Sequence, residues 1–270
     1  MNSEIDYTYW KTEHKPILER LTDKKIIMLF SGGKDSSLCM DFISRAGEEF
    51  GFDFEAHAGA FPVHRYPDTE KKRIESYWTK RGVNITWHKL AETDDDIEKA
   101  VNPCLLCQKQ RKKVLKTLLP KLVGNWEKLV LIVSYSMWDI VSYAIEHILG
   151  DIFSNSGKRE DIKNNRFIET SQRFYPLLKM KEGYTVLRPL IKYNSNDILK
   201  LIRQTGIPIL STPCKFGDLR PKRILEKYYE KMGICFEYNH VFDFAKKSLN
   251  LPDISLFTSI EKEEYLLNVF

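Results

Sequence analysis

The chain has no apolar run approaching the roughly 18 residues needed to cross a bilayer, so its 43% hydrophobic content describes a packed core. No secretory signal is visible in Met1-Asn2-Ser3-Glu4-Ile5-Asp6, which is polar and acidic, giving the expectation of a cytoplasmic protein with no membrane partner. There are no internal repeats and no low-complexity tracts. Cysteine is scarce, with five in 270 residues, and an odd count in a chain of this kind argues against a disulfide framework and toward metal or redox use. A strong net charge is also absent, at +5, but the charge is unevenly spread. Between Gln108 and Lys128 stand Lys109, Arg111, Lys112, Lys113, Lys116, Lys121 and Lys128 against the single acid Glu127. Such a stretch suits a polyanionic partner or, equally, a solvated helix face.

What is present alternates between two periodicities. Strands are expected at Lys25–Phe30, Phe54–Phe61, Val83–His88, Leu129–Ser134 and Thr185–Arg188. Helices are expected at Asp35–Glu49, Asp68–Arg81, Leu105–Leu119, Asp139–Leu149, Ser195–Thr205 and Pro221–Met232. Strands separated by helical stretches imply βαβ units, hence an α/β fold with a doubly wound parallel sheet covered on both faces. Residues 1–24 read as an N-terminal helical extension, 25–232 as the main domain and 233–270 as a C-terminal appendage. Asp151–Gln172 is polar and reads as a lid or a plain surface loop.

The most informative stretch is Ser31-Gly32-Gly33-Lys34-Asp35-Ser36-Ser37, between the first strand and the first helix of the main domain. Two glycines allow a tight turn that aims several N–H groups into one concavity, and the helix start adds partial positive charge. Lys34 supplies a mobile full charge, while Ser36 and Ser37 supply hydroxyls. Strand, glycine turn and helix together make a phosphate site.

Asn102-Pro103-Cys104-Leu105-Leu106-Cys107 places two thiols at the start of a helix, spaced so that both can face one centre. Taken alone the pair suits zinc, a redox disulfide or a cluster. Cys214 lies far along the chain in a second Pro-Cys setting before a basic helical stretch, whereas Cys39 and Cys235 read as packing residues.

Ser-Gly-Gly-Lys-Asp-Ser resembles the PP-loop signature of the ATP-pyrophosphatase superfamily, whose members cleave ATP between the α and β phosphates and adenylate a substrate oxygen. Pro-Cys-Leu-Leu-Cys-Gln-Lys-Gln-Arg-Lys-Lys, with Leu187-Arg188-Pro189-Leu190, Ile207-Pro208 and Pro213-Cys214, is similar to the tRNA 2-thiocytidine synthetase family and to the [4Fe-4S]-dependent tRNA thiolation enzymes. The resemblance spans roughly Lys25 to Lys227 and implies a PP-loop fold, like that of the adenine-nucleotide α-hydrolases. It implies ATP and Mg2+ as cofactors, with Ser31 to Ser37 binding the triphosphate and Ala58, Gly59 and Phe61 near the adenine. It also implies Cys104, Cys107 and Cys214 as ligands of a [4Fe-4S] cluster, and tRNA or another thiolation acceptor as partner.

The family's Gly-His-His-x-x-Asp-Asp stretch is replaced by Ser134-Tyr135-Ser136-Met137-Trp138-Asp139, where only Asp139 matches. Asp139 is then a magnesium or nucleotide ligand, or an N-cap for the next helix. Lys34, Asp35 and Asp139 form the expected catalytic set, and Lys109, Arg111, Lys112 and Lys113 the expected nucleic-acid contacts, with Arg188 and Lys215 also toward the cleft. Competing readings are a sulfurtransferase acting on a small molecule or DNA, a reductase of adenylylated sulfate, a thiol oxidoreductase, and a zinc-containing nucleic-acid-binding protein in which His147 or His240 completes the site. The sulfur donor is not legible, and the oligomeric state is open between monomer and homodimer.

Overall fold

The computed structural model describes residues 5–153, 170–219 and 221–266. Most of the expected excursion 151–172 therefore lies outside the described residues. Strands β1 (Lys25–Phe30), β2 (Glu55–Gly59), β3 (Ile85–His88), β4 (Leu129–Val133), β5 (Leu177–Lys179) and β6 (Thr185–Leu187) form one sheet ordered β3-β2-β1-β4-β6-β5. Every neighbouring pair is parallel except β5 with β6. Sequence order runs outward from β1 through β2 to β3, then restarts on the other side of β1 with β4. That reversal places a ligand crevice beyond the carboxyl ends of β1 and β4.

Period-two alternation divides the strands between two cores. Ile26, Met28 and Phe30 of β1, with Val130 and Ile132 of β4, join one buried cluster. Ile27, with Leu129, Leu131 and Val133, joins another on the opposite face. Helices α1 (Tyr7–Leu18), α2 (Lys34–Phe50), α3 (Asp68–Thr79) and, later in the chain, Ser195–Thr205 supply the first cluster, through Trp10, Phe42, Trp78, Ile198 and others. After the short α4 (Asp95–Glu98), helix α5 (Pro103–Leu122) covers the second face through Leu119, joined there by Phe257 and Tyr265. Helix α6 (Met137–Phe153) packs in a third cluster, followed by α7 (Ser195–Thr205), α8 (Pro221–Lys231) and α9 (Tyr238–Ser248).

The expected elements recur with shifted ends. β2 and β3 are shorter than read, and α2, α5 and α6 begin earlier. Asn102 explains the early start of α5: its side chain accepts Leu105 N–H at 3.0 Å, with Pro103 in the first turn. The sequence reading missed the three-residue antiparallel β5, the short α4, the helix α9 and two short helices after it, Ile254–Thr258 and Lys262–Glu264. The N-terminal helix packs on the sheet, with the Trp10 indole donating to Pro189 O at 3.0 Å.

Candidate active site

The loop after β1 is a knot of small groups. Ser36 Oγ lies 3.0 Å from Ser31 Oγ, accepts Ser31 N–H at 3.2 Å and donates to Gly33 O at 3.1 Å. Ser31 Oγ accepts Gly33 N–H at 3.3 Å. Gly32 has φ +69°, a left-handed conformation suited to glycine. Gly33 is the N-cap of α2 and has no side chain to occupy the helix start, which leaves that end open to an anion. Ser37 is wholly buried, its hydroxyl without a partner among the described residues.

Lys34 is held between carboxylates. Its ammonium lies 2.9 Å from Asp35 Oδ2 and 3.2 Å from Glu226 Oε1, and the Lys34 and Glu226 side chains are only 13% and 7% exposed. Burial works against the ammonium, but Asp35, Glu226 and the more distant Asp139 outweigh it and raise the lysine pKa above its ordinary value. Burial, with Asp139 and Glu226 adding to it against Lys34, pushes the Asp35 carboxyl above the usual carboxylate range. Glu226 also accepts Ser195 Oγ at 2.9 Å and faces Arg223 at 3.3 Å. Sequence reading did not find it, because its partners come from α2 and α7. Asp139 sits in the first turn of α6, where its carboxylate accepts Ser136 N–H at 2.9 Å. It lines the cleft but is not the N-cap that the sequence offered as its alternative role, because α6 begins two residues earlier, at Met137.

That cleft is a cavity of about 360 Å³ beyond the carboxyl ends of the central strands, near the low end of the roughly 300–1,000 Å³ of small-ligand sites. Hollows of about 420 Å³ beside Asp41 and Arg45 and about 490 Å³ beside Tyr193 and His240 lie elsewhere and hold none of the expected nucleotide, cluster or nucleic-acid residues. Ser31, Gly59, Arg111, Lys112 and Asp139 line the cleft, together with His57, His88, Tyr143 and Arg173, which sequence reading missed. Arg111 reaches inward, donating to Tyr66 OH at 2.8 Å, and Tyr66 OH donates to Ser31 O at 3.0 Å. A guanidinium on α5 is thereby tied to the glycine loop.

Of the other expected nucleotide contacts, Ala58 is buried in the β2 ladder and Phe61 is buried with its N–H donated to Gly59 O at 2.9 Å. His57 Nδ1 lies 2.9 Å from His88 Nε2. Arg188 does not face the cleft. It is fully buried and holds Tyr175 O at 2.8 Å and the Gln172 side chain.

Helical spacing explains how α5 divides its labour. Cys104, Gln108, Arg111, Leu115 and Leu118 recur at alternating intervals of four and three, so they share one face, and all but Cys104 line the cleft. Cys104 thus extends the cleft-facing stripe by one turn, about 6 Å beyond Gln108. Lys109 and Lys113 are exposed, so the expected nucleic-acid quartet splits: two residues outward, Arg111 and Lys112 inward.

Cys214 lies in a turn closed by Gly217 N–H to Cys214 O at 2.9 Å. That turn meets α5 where the Cys104 thiol donates to Phe216 O at 3.8 Å. Cys104, Cys107 and Cys214 are all half-buried, whereas Cys39 is buried, its thiol pushed up to about 12 chiefly by that burial. Among the described residues no three His, Cys, Asp or Glu side chains form a preassembled metal site. In chemistry the three thiols fit an iron–sulfur cluster, and the structure brings Cys104 against the turn that carries Cys214. The two histidines considered for a zinc site have other partners: His147 lies 2.8 Å from Thr170 Oγ1, and His240 pairs with Glu237 at 3.3 Å.

No protein-family model and no curated protein matches the chain. Solved structures do. The U34-tRNA thiolase NcsA from Methanococcus maripaludis, with its [4Fe-4S] cluster, superposes with a TM-score of 0.63 at 15% identity, over 92% of this chain and 81% of that one. Looser likenesses are NMN synthetase from Francisella tularensis (TM-score 0.43, 10% identity, 98% and 94% covered) and an NH3-dependent NAD synthetase from Campylobacter jejuni (0.44, 12%, 93% and 90%). Among the described residues no helix is long and apolar enough to cross a membrane.

Proposed function

Because the chain has the fold of the PP-loop ATP pyrophosphatases, we propose that it uses ATP to adenylate a carbonyl-type oxygen of an acceptor, a tRNA base, and replaces that oxygen with sulfur. One observation carries this reading: a single face of α5 runs from the cleft beside the glycine loop to Cys104, which meets the Cys214 turn. Activation chemistry and thiol chemistry then share one channel. The likeness to a tRNA thiolase supports the same reading at the level of fold.

The Ser31–Ser37 loop receives the triphosphate on its N–H groups and the α2 N-terminus. Lys34 faces the α and β phosphates and offsets charge as the acceptor oxygen attacks the α phosphorus and pyrophosphate departs. Asp35, Glu226 and Asp139 surround that lysine with more negative charge than it carries, so the triphosphate must arrive with a divalent cation, magnesium, which Asp35 or Asp139 can help to hold. Arg111, held by Tyr66, orients the adenylated acceptor from the α5 side. Cys104, Cys107 and Cys214 would hold a [4Fe-4S] cluster, which would supply Lewis-acid chemistry for sulfur delivery. Lys109 and Lys113, outside the cleft, meet the RNA backbone in a salt-sensitive contact.

The test is anaerobic purification followed by iron, sulfide and zinc analysis per chain. Iron and sulfide in equal amounts, about four of each, are expected, and lost in Cys104→Ala, Cys107→Ala and Cys214→Ala. Stoichiometric zinc without iron after anaerobic reconstitution would remove the cluster from the mechanism. ATP-dependent AMP release that survives Lys34→Ala would remove the role given to Lys34, and ATP turnover without AMP and pyrophosphate would remove the adenylation step.

A further inference from the structure

Three loops distant in sequence meet at one imidazole. His64 follows β2, Asp94 follows β3, and the Cys214 turn follows α7. The Asp94 carboxylate accepts Val63 N–H at 2.6 Å on one oxygen and His64 N–H at 2.8 Å on the other, which also lies 2.6 Å from His64 Nδ1. On the far side of the ring, Lys215 N–H donates to His64 Nε2 at 3.0 Å.

A backbone amide can only donate, so Nε2 carries the lone pair and Nδ1 carries the proton that goes to Asp94. The tautomer is thus set by its two partners. The Phe216 ring stands edge-on to the same imidazole, with centroids 5.8 Å apart and planes at 74°. Phe216 O is in turn the acceptor for the Cys104 thiol. Both members of the pair are nearly buried, their side chains 11% and 8% exposed. The flanking Lys215–Glu98 pair, at 3.0 Å, is more than 40% exposed on both sides and holds the turn only weakly.

We propose that His64, oriented by Asp94, is the positioning residue that seats the Cys214 turn beside Cys104. It deepens the proposed thiol chemistry and takes its purpose from that reading. Its geometry stands independently, because the seating can be measured without iron.

The measurement is cross-linking of Cys104 to Cys214 by dibromobimane, which joins only neighbouring thiols. It is run on iron-free protein carrying Cys107→Ser and Cys235→Ser, with Cys39 buried and unreactive. In that background His64→Gln carries an amide oxygen out to the position of Nε2 and keeps an acceptor for Lys215 N–H. His64→Asn reaches only the position of Nδ1 and loses it. Rapid cross-linking is expected in the parent and in His64→Gln. His64→Asn and His64→Ala should be about tenfold slower, equivalent to about 1.4 kcal/mol.

A parent that does not cross-link would overturn the juxtaposition. His64→Asn at the parent rate would overturn the positioning role of His64. His64→Gln as slow as His64→Ala would assign the ring's role to packing on Phe216 and refute the acceptor. The Asn-to-Gln comparison holds even where His64→Ala unfolds, since the two amides differ in reach and not in polarity. Iron uptake under anaerobic conditions, measured on the same His64 variants with Cys107 and Cys235 retained, should rank them in the same order. The cross-linking order without iron uptake in any variant would keep the positioning role and remove the cluster.

Discussion

Gly32→Ala separates two strains that the phosphate loop imposes on one position. Gly32 lies at φ +69°, and its carbonyl accepts Leu210 N–H at 2.7 Å. A side chain there costs about 1–2 kcal/mol for the left-handed backbone alone. An added Cβ would also stand 2.8 Å from both Cγ and Cδ1 of Leu210. Leu210 is buried, and its own amide is pinned to the loop, so it cannot step aside without breaking that bond. Overpacking of this kind costs about 1–3 kcal/mol. The single variant should therefore lose about 2–5 kcal/mol, read as a shift in urea midpoint at constant slope.

Leu210→Ala alone should lose about 2–5 kcal/mol, as for a leucine removed from a core. In the double variant the overlap has gone while the backbone strain remains. The pair should then be less damaging than the sum of the singles by the overlap, about 1–3 kcal/mol. ATP affinity, measured by calorimetry, should fall with Gly32→Ala and recover in part in the double variant. Additivity within about 0.5 kcal/mol, with wild-type ATP affinity in Gly32→Ala, would refute the bracing of the loop by Leu210.

Tyr66→Phe cuts the link from Arg111 to Ser31 O and should raise KM for ATP several-fold while the melting temperature moves little. Trp10→Phe leaves Pro189 O buried without its donor and should destabilise the chain by about 1–3 kcal/mol in denaturant titration. The hydrogen bond from Arg73, then that from Ser211 N–H, holds the Glu70 pKa at about 2 instead of 4.5 against a smaller effect of burial. A depressed carboxylate contributes stability above its unfolded value and loses it as pH falls from 4.5 toward about 2; Glu70→Gln should flatten unfolding free energy across that window. Chelating divalent cations should weaken ATP binding by an order of magnitude or more, and Glu226→Gln should reduce that dependence.

Where one local segment determines an element, the sequence was sufficient. The β1–loop–α2 unit was legible because an apolar run, two glycines and an amphipathic stretch are contiguous, and α7 was read to the residue at Ser195–Thr205. β5 was not legible: three residues, Leu177–Lys179, are too short for a period to register, and only pairing with β6 makes them a strand. α9 could have been found. Tyr238, Val241, Phe242, Ala245 and Leu249 recur at helical spacing and pack together in the third core cluster. Their polar neighbours and position after an assumed domain edge concealed the pattern.

The site divides along the same line. The stripe Cys104, Gln108, Arg111, Leu115 and Leu118 is written in the sequence by its four–three spacing, and it separates Arg111 from Lys109 before any coordinates exist. Counting charges instead of faces merged the two. Glu226 and His64 carry no such local signal, because each acquires its role only where loops from different crossovers converge. The sheet order brings them together: successive βα connections end on the same edge of a parallel sheet, so residues from β1, β2, β3 and β4 meet there whatever their separation in sequence. Lys34 was recognised from its motif, but its buried counter-charge on α8 could not be, since an ion pair spanning α2 and α8 leaves no trace in either helix alone. Motifs therefore identify the groups that meet the substrate, and topology selects the groups that hold them in place.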